Sequence, residues 1–139
     1  MLTPFHLAIG VKDLAAAAVF YQDVLGCSLG RRSEHWIDFN LFGHQLVCHE
    51  VPDATGVAAS NPVDGEAVPI PHFGVVLTLD AFESLQQRLV AKGVAFVIEP
   101  QTRFQGASGE QRTMFLLDPS KNAIEFKAFE NIDDDLFKV

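Results

Sequence analysis

A short pattern occurs twice in this chain: a histidine, an alternating apolar run and then an aspartate. The first copy is PFHLAIGVKD, residues 4–13, and the second is PHFGVVLTLD, residues 71–80. Each copy continues into a segment of helix-forming residues that closes at a glycine, Gly26 in the first and Gly93 in the second. A pattern that recurs with nearly equal spacing across a strand and a helix indicates a duplicated structural unit.

Each copy of the repeat predicts a strand followed by a helix. The alternation of side chains in the apolar run is typical of a strand, because successive residues point to opposite faces. The first helix is predicted near residues 13–25 with Asp13 as its N-cap, and the second near residues 80–92, where its segment opens with Asp80.

More strand-like segments follow each helix. In the first half, HWIDFNLFG and HQLVCHEV are separated by Gly43, which is typical of a hairpin. In the second half, VAFVIEP, RTMFLLDP and NAIEFKAF follow, with a turn at DPSKN. The fold class is therefore predicted to be α+β, with two βαβββ modules related by a pseudo-twofold axis. They would form a curved mixed sheet with the helices on its convex face.

The length of 139 residues is suited to a single domain. We expect its parts to be module 1 over about residues 4–50, a connector rich in Ala, Gly and Pro over 51–71, module 2 over about 72–129, and an acidic tail over 130–139.

Charge, hydropathy and cysteine content limit the kinds of partner that the chain can bind and the compartment in which it is expected. The net charge of −8 disfavours nucleic acid and anionic membrane surfaces, which would repel the chain. No apolar stretch approaches a membrane span, and Lys12 and Asp13 interrupt the early apolar run before a signal-peptide core can form. The two cysteines are too few for a disulfide framework, so a cytoplasmic protein is expected.

The repeated histidines share a strand face that the helices do not cover. The apolar residues alternating with His6 and His72 suit the helix-packed face, so both histidines should point to the opposite, concave side. In NAIEFKAF, Ile124 and Phe126 suit the helix side, which turns Glu125 toward the same concavity. The duplication would bring the histidines to equivalent places beside this carboxylate.

Two imidazoles and one carboxylate leave open coordination positions on a divalent metal. Such a set suits non-haem iron, and zinc also accepts it. Open positions matter because substrate, water or dioxygen must reach the metal directly. We therefore predict that His6, His72 and Glu125 bind one divalent metal without a fourth side-chain ligand.

The chain resembles the vicinal oxygen chelate superfamily, also called the glyoxalase, bleomycin resistance protein and dioxygenase superfamily. The stretches that carry the resemblance are FHLAIGVKDLAAAAVFYQDVLG, PHFGVVL and FLLDPSKNAIEF, and it covers essentially residues 4–129. It implies paired βαβββ modules and places His6, His72 and Glu125 on the metal-ligand positions of the concave sheet. Members commonly dimerise, and small modules leave sheet edges for a partner to cover, so a homodimer is expected.

The resemblance points to a metal-dependent enzyme that acts on a small oxygen-chelating molecule. Extradiol dioxygenases hold Fe(II) with two histidines and one glutamate, and WIDFNLFGHQLVCHE resembles a small dioxygenase-like group. A dioxygenase-like oxidoreductase with Fe(II) is therefore expected, while Mn, Zn or Ni are alternative metals.

Two other classes within the superfamily stay open as alternatives. Glyoxalase-type lyases or isomerases have a further carboxylate ligand on the strand that corresponds to HQLVCHE. In this chain, the face shared by Gln45, Val47 and His49 offers no acid. A non-catalytic module that binds a small molecule, of the resistance type, is the other alternative, but such proteins lack the metal triad.

A few further side chains are candidates for roles at the site. His49 is the candidate acid–base residue, because its strand face should look into the cavity and a neutral imidazole suits proton transfer. The alternative for His49 is a surface position at a strand end. Arg103 and Arg112 flank the loop RFQGASGEQR and could contact an anion, or the loop is a simple surface connection. His35 and His44 are assigned no role.

Overall fold

The computed structural model describes residues 2–139. Both predicted modules are present, each with a strand, a helix and three further strands, and each builds a mixed four-stranded sheet. The chain divides into two compact units. The first contains the residues up to Gly56 together with Asp118–Asn122, and the second contains Val57–Leu117 together with Ala123–Val139. The predicted α+β class with two βαβββ modules is confirmed.

The first unit contains a sheet in the order β1-β4-β3-β2, in which β1 runs parallel to β4 and the other neighbours are antiparallel. Its elements are β1 His6–Val11, α1 Leu14–Ala18, a π-helical continuation Val19–Val24, β2 Ser28–Arg32, β3 Trp36–Leu41 and β4 His44–Glu50. Asp13 caps α1 as predicted, because its side chain accepts hydrogen bonds from the backbone of Ala15 and Ala16.

The helical segment of the first unit supplies large buried side chains. Phe20 and Tyr21 are both buried, with their rings 5.0 Å apart in an edge-to-face arrangement. The ring of Tyr21 also lies 5.3 Å from that of Phe39 on β3. The interior of this unit is therefore built where the end of the helix packs on the sheet, which leaves the other sheet face for polar side chains.

The second unit contains a sheet in the order β7-β10-β9-β8, in which β7 runs parallel to β10. Its elements after the connector are β7 His72–Thr78, α2 Leu79–Ala91, β8 Phe96–Arg103, β9 Gln111–Leu117, β10 Ala123–Phe129 and α3 Ile132–Asp135. The short α3 lies in the segment that was expected to be an acidic tail. Among residues 2–139, no helix is long and apolar enough to cross a bilayer.

Helix α2 begins at Leu79, one residue before the predicted start at Asp80. Thr78 is the cap, because its backbone is extended and its hydroxyl accepts from the amide of Ala81. Asp80 lies in the first turn instead, where a negative charge is favourable near the positive end of the helix dipole. Both residue types suit a helix start, and the sequence pattern does not distinguish the two positions.

The connector between the modules contains a β-hairpin of its own. Strands β5 Ala59–Val63 and β6 Glu66–Ile70 pair antiparallel and form a separate two-stranded sheet. Asp64 and Gly65 form the turn, and both have positive φ, which matches the preference of tight hairpins for Asp-Gly. The hairpin covers part of the second unit: Val68 packs with Ile98 and Phe115 in one buried cluster.

The turn between β9 and β10 belongs to the first unit rather than the second. Asp118 accepts hydrogen bonds from the hydroxyl of Tyr21 at 2.8 Å and from the side-chain amide of Asn122 at 2.9 Å. Its other carboxylate oxygen accepts from the backbone amides of Ser120 and Asn122. This carboxylate therefore organises the turn and ties it to the helical segment of the first module.

Two more hydrogen bonds connect the same turn to the end of β1. Asn122 donates to the carbonyl of Gly10 at 2.9 Å, and the amide of Lys12 donates to the hydroxyl of Ser120 at 2.8 Å. Gly56 lies against the turn so closely that a Cβ there would come within 2.1 Å of the carbonyl oxygen of Lys121. The turn is thus an integral part of the first unit.

Candidate metal site

His72 and Glu125 come together on neighbouring parallel strands of the second unit. His72 lies at the start of β7 opposite Ala123, and Glu125 lies opposite Gly74, one side-chain repeat further along β10. The Nε2 atom of His72 is 3.2 Å from Oε1 of Glu125. Two of the three predicted ligands are therefore adjacent within one unit.

The ring orientation of His72 is fixed by the hairpin. Its Nδ1 lies 2.7 Å from the carbonyl oxygen of Pro69. Since a carbonyl only accepts hydrogen bonds, Nδ1 carries a hydrogen, and in the neutral ring Nε2 then carries a lone pair. That lone pair faces a carboxylate oxygen, so a proton or a cation is required between the two atoms. Histidines that bind metals commonly have this arrangement, with the second ring nitrogen donating to a carbonyl.

The Glu125 carboxylate is buried and held from one side. Thr113 donates from its hydroxyl to Oε2 at 2.5 Å, while Lys127 Nζ lies 3.9 Å from Oε1. On the opposite face of β10, Ile124 and Phe126 are fully buried. The alternation along this strand therefore turns the carboxylate to the face that it shares with His72 and leaves Oε1 directed at the imidazole.

Gly74 allows the close approach of the two strands that carry the pair. A Cβ at this position would lie 1.4 Å from the carbonyl oxygen of Glu125, which no side chain can tolerate. The glycine in PHFGVVL is therefore required by the backbone geometry of β7 and β10 next to His72.

His6 lies at the start of β1 in the first unit, where its side chain is exposed. Its Nδ1 is 2.8 Å from Oε1 of Gln45, the residue opposite it on β4. The amide of Gln45 is oriented by a second hydrogen bond, from Nε2 to the buried carboxylate of Asp38 at 3.0 Å. Nδ1 of His6 therefore donates to an oxygen, and Nε2 carries the lone pair in the neutral ring, as in His72.

The donor chemistry of the three predicted ligands fits a divalent metal. Two imidazole Nε2 lone pairs and one carboxylate oxygen are suitable donors for Fe(II) or Zn²⁺. Within residues 2–139, however, no group of three or more His, Cys, Asp and Glu side chains is placed to hold a metal ion. The structure brings together His72 and Glu125, while His6 belongs to the other unit.

The remaining histidines occupy different settings. His49 is exposed on β4, on the same strand face as Gln45 but four residues further along, about 13 Å at the usual rise of a strand. His44 begins β4, and its Nδ1 accepts from the amide of Phe5 at 2.9 Å. His35 is exposed ahead of β3.

Two polar residues that support His6 were missed by reasoning from the sequence. Gln45 was considered only as a non-acidic position, and Asp38 was not considered. Asp38 pairs with Val47 across the β3–β4 hairpin, so the two share a face with Gln45. The hairpin centred on Gly43 was recognised, and counting its register outward would have placed Asp38 beside Gln45.

Cys48 and Tyr21, both buried in the first unit, are unsuited to acid–base chemistry at neutral pH. Burial, followed by the charge of Asp118, raises the pKa of the Cys48 thiol to about 12. The same two causes raise the pKa of Tyr21 well above its ordinary value. Because a thiol reacts as the thiolate, Cys48 is a core residue and not a nucleophile.

The βαβββ modules and the paired histidine and glutamate positions define a member of a superfamily of metal-dependent and ligand-binding proteins. The model of the Glyoxalase/Bleomycin resistance protein/Dioxygenase superfamily matches residues 3–126, so the chain belongs to this superfamily. A solved relative is the glyoxalase/bleomycin resistance protein/dioxygenase from Alicyclobacillus acidocaldarius. It is 35% identical, with 94% of each chain covered and a TM-score of 0.80.

More distant solved structures share the fold. The lactoylglutathione lyase from Agrobacterium tumefaciens is 17% identical, with 92% of this chain and 94% of that chain covered and a TM-score of 0.66. A genomically encoded fosfomycin resistance protein from Listeria monocytogenes is 19% identical, with 93% of each chain covered and a TM-score of 0.64. At these identities the likeness concerns the fold alone. No curated protein matches the chain with significant similarity.

Proposed function

We propose that the protein is a metal-dependent enzyme of the extradiol dioxygenase-like type, acting on a small oxygen-chelating substrate. In this proposal His6, His72 and Glu125 bind one divalent metal, Fe(II), with no fourth side-chain ligand. The observation that carries the proposal is the pair His72–Glu125, in which Nε2 lies 3.2 Å from a carboxylate oxygen while Nδ1 lies 2.7 Å from the carbonyl oxygen of Pro69. A divalent cation bound by both atoms would satisfy them.

The surrounding residues would hold the ligands in place. Pro69 and Gln45 each accept from the Nδ1 hydrogen of one histidine, and Thr113 fixes one oxygen of Glu125. Such outer partners orient the donor atoms and raise their basicity. When bound, the metal would be chelated by both oxygens of a vicinal diol and would allow electron density to pass from the substrate to dioxygen.

The acid–base residue of the proposed reaction is His49. Its side chain is exposed and lies on the strand face that carries Gln45. About 13 Å along β4 separates it from Gln45, the partner of His6, so an imidazole there can exchange a proton only with a substrate that extends this far. Replacing His49 by Gln should lower kcat while metal content stays near that of the wild type.

The polar face of the first sheet favours a dioxygenase over a glyoxalase-type lyase. Asp38 supplies the carboxylate on this face. Its Oδ2 accepts a hydrogen bond from Gln45 Nε2, and its Oδ1 accepts one from the backbone amide of Arg31. A carboxylate fixed in this way supports the histidine network and is poorly suited to act as a metal ligand and base. In the proposal, a bound metal would thus have three side-chain ligands, which would leave it accessible to substrate oxygens and dioxygen.

We also propose that the protein is a cytoplasmic homodimer. Strands β1 and β7 lie at the edges of their sheets and can be covered by a second module. Neither cysteine is in a disulfide, as expected in a reducing compartment. Light scattering at micromolar concentration should give the mass of two chains, and the mass of one chain would remove the dimer from the proposal.

Metal analysis after anaerobic reconstitution with Fe(II) tests the ligands directly. Wild type and His35→Ala should bind near-stoichiometric metal, whereas His6→Ala, His72→Ala and Glu125→Ala should each retain little. His35 is a matched control because it is an exposed histidine outside the proposed site. Equal metal in all five proteins would refute the ligand assignment.

Oxygen uptake tests the reaction. With a panel of catechols, the Fe(II) protein should consume dioxygen and release ring-cleavage products. Turnover of the methylglyoxal–glutathione adduct without oxygen uptake would instead assign a glyoxalase-type reaction. Catechol binding without turnover under any divalent metal would assign a binding module.

A further inference from the structure

Arg103 is a buried cation at the end of β8, with 3% of its surface exposed. Its Nη1 donates to the carbonyl oxygen of Val63 in the hairpin at 2.8 Å. The guanidinium also lies 6.0 Å from the ring centre of Phe115. No ion pair among residues 2–139 includes Arg103. A positive charge is thus buried with one neutral hydrogen-bond acceptor and an aromatic ring.

The two other nitrogens of this guanidinium, Nε and Nη2, are buried without a hydrogen-bond partner. Their N–H groups point from the same edge of the planar group, the edge that a carboxylate binds with two parallel hydrogen bonds. Leaving a buried donor unpaired costs about 1–3 kcal/mol, and more when the group is charged. The chain therefore carries two adjacent buried donors without partners, which destabilises the folded state. Their spacing matches the two oxygens of a carboxylate.

Gln111, on the neighbouring strand, adds a third buried polar group without a partner. It lies opposite Arg103 in the β8–β9 register, and its Oε1 is also buried without a partner, while its Nε2 donates to the carbonyl oxygen of Gly109. Two donors and one acceptor without partners match a ligand that carries a carboxylate and a neighbouring hydroxyl.

The guanidinium and the proposed metal ligand share two neighbours. The ring of Phe115 is close to both, because its centre is 6.0 Å from the guanidinium and 5.1 Å from the ring centre of His72. The hairpin contacts both, through the carbonyl of Val63 to Arg103 and the carbonyl of Pro69 to His72. Arg103 and the imidazole thus lie beside the same aromatic ring, close enough for one small aromatic molecule to reach both.

We propose that Arg103 binds a carboxylate of the substrate through Nε and Nη2. Resting on the proposed function, this narrows the substrate class to hydroxylated aromatic acids, whose vicinal oxygens face His72 and Glu125 while the carboxylate lies at the guanidinium. An uncharged catechol lacks the group that Arg103 recognises. The chain carries a net charge of −8, so binding an acid requires a local positive charge, and the Arg103 guanidinium supplies one with a two-donor edge.

The hairpin must move for a ligand to reach the buried edge. Strands β5 and β6 hydrogen-bond as a ladder only with each other, and a two-stranded hairpin has little stability of its own. Val63 and Val68 attach it to a cluster with Ile98 and Phe115. A bound carboxylate would satisfy the donors beneath the hairpin, so we expect ligand binding to hold the hairpin closed.

The test uses benzoate and metal-free protein, so its outcome does not depend on the metal. Titration followed by NMR should give saturable shifts for wild type, with benzamide binding at least about tenfold more weakly because it lacks the charge. Arg103→Lys keeps the charge but loses the two-pronged edge and should lower benzoate affinity by about tenfold or more. Arg103→Met, of similar length and without charge, should abolish saturation.

Arg112→Lys is the matched control. The guanidinium of Arg112 has partners in Thr102 and Gln86 and lies 5.5 Å from the ring centre of Phe82. Benzoate affinity should stay within about twofold of wild type in this variant, and circular dichroism should verify that each variant is folded. Equal benzoate affinity in wild type, Arg103→Lys and Arg103→Met would overturn the proposal, as would the absence of saturable binding to wild type.

Kinetics of the Fe(II) protein test the carboxylate site separately from the proposed function. Wild type should have a kcat/KM for a dihydroxybenzoate at least about tenfold above that for catechol, and Arg103→Lys should remove the preference through KM. Catechol turnover without benzoate binding would refute the carboxylate site and leave the proposed function standing. Benzoate binding that depends on Arg103, in a protein that never binds metal, would refute the proposed function and support the anion site.

Discussion

Removing the hydroxyl of Tyr21 tests whether the β9–β10 turn stabilises the first unit. Tyr21 is fully buried, and its hydroxyl donates to Oδ2 of Asp118 at 2.8 Å. Tyr21→Phe keeps the ring and its packing on Phe39, so the change is confined to this hydrogen bond. Asp118 retains its donors from Ser120 and Asn122.

The magnitude follows from the charge of the acceptor. A hydrogen bond to a charged group contributes about 1.5–3 kcal/mol, against about 1 kcal/mol for a neutral pair. The Asp118 carboxylate keeps its other hydrogen-bond donors in this variant, so it is not left without partners. We therefore expect a loss of about 2 kcal/mol in the free energy of unfolding. In an Asp118→Asn background the acceptor is neutral, so the same change should cost only about 1 kcal/mol.

Urea denaturation followed by circular dichroism measures these differences as a double-mutant cycle. The midpoint should shift while the slope with urea stays constant. A loss below about 0.5 kcal/mol in the wild-type background would show that the hydroxyl contributes no more than an ordinary surface group. An equal loss in both backgrounds would show that the charge of the acceptor adds nothing to this hydrogen bond.

The same contact predicts an unusual titration. Burial and the charge of Asp118 raise the pKa of Tyr21, and it is the one tyrosine in the chain, so tyrosinate absorbance reports on it alone. The pKa is higher in the folded state than in the unfolded state. Its contribution to stability is therefore complete below about pH 10 and is lost as the pH rises above that value. Tyrosinate should appear only with unfolding, and its appearance in a folded protein would contradict the buried contact.

Three further predictions concern the core, the strand pairing and the histidine support. The folded-state pKa of Cys48 is about 12 against an ordinary value of 9.0, so stability should fall between these pH values and fall less in Cys48→Ala. Gly74→Ala should cost more than about 3 kcal/mol in urea denaturation because its Cβ would overlap the Glu125 carbonyl, whereas Gly43→Ala, with open space around it, should cost about 1 kcal/mol. Gln45→Leu should weaken Fe(II) binding about 10–100-fold in a metal titration, and unchanged affinity would exclude a role in orienting the ligand.

The repeated pattern in the sequence was enough to predict both modules. Strand alternation, the Asp13 cap and the hairpin at Gly43 are local features, and each has a physical cause that acts within a few residues. The π-helical stretch Val19–Val24 was not predicted, because spacing of apolar residues does not distinguish a widened turn from an α-helix. The hairpin in the connector was missed although Asp64-Gly65 is a typical hairpin turn.

Site residues could be predicted from the sequence only where the alternation along a single strand determines which face a side chain occupies. Alternation within β7 and β10 pointed to His72 and Glu125, which the structure shows in contact. The roles of Gln45 and Arg103 depend on which atoms meet across strands and from the hairpin, and alternation carries no information about such distances. Arg103 was therefore left open between an anion contact and a surface position.

The turn Asp118–Asn122 also bears on the order in which the protein can fold during synthesis. Residues up to Gly56 leave the ribosome long before this turn does, yet the turn supplies the partners of Tyr21, Lys12 and Gly10. Nascent chains generally fold from the amino terminus as units become complete. The first unit cannot form these hydrogen bonds until residue 122 has emerged from the ribosome. By then nearly all of the second module has been translated.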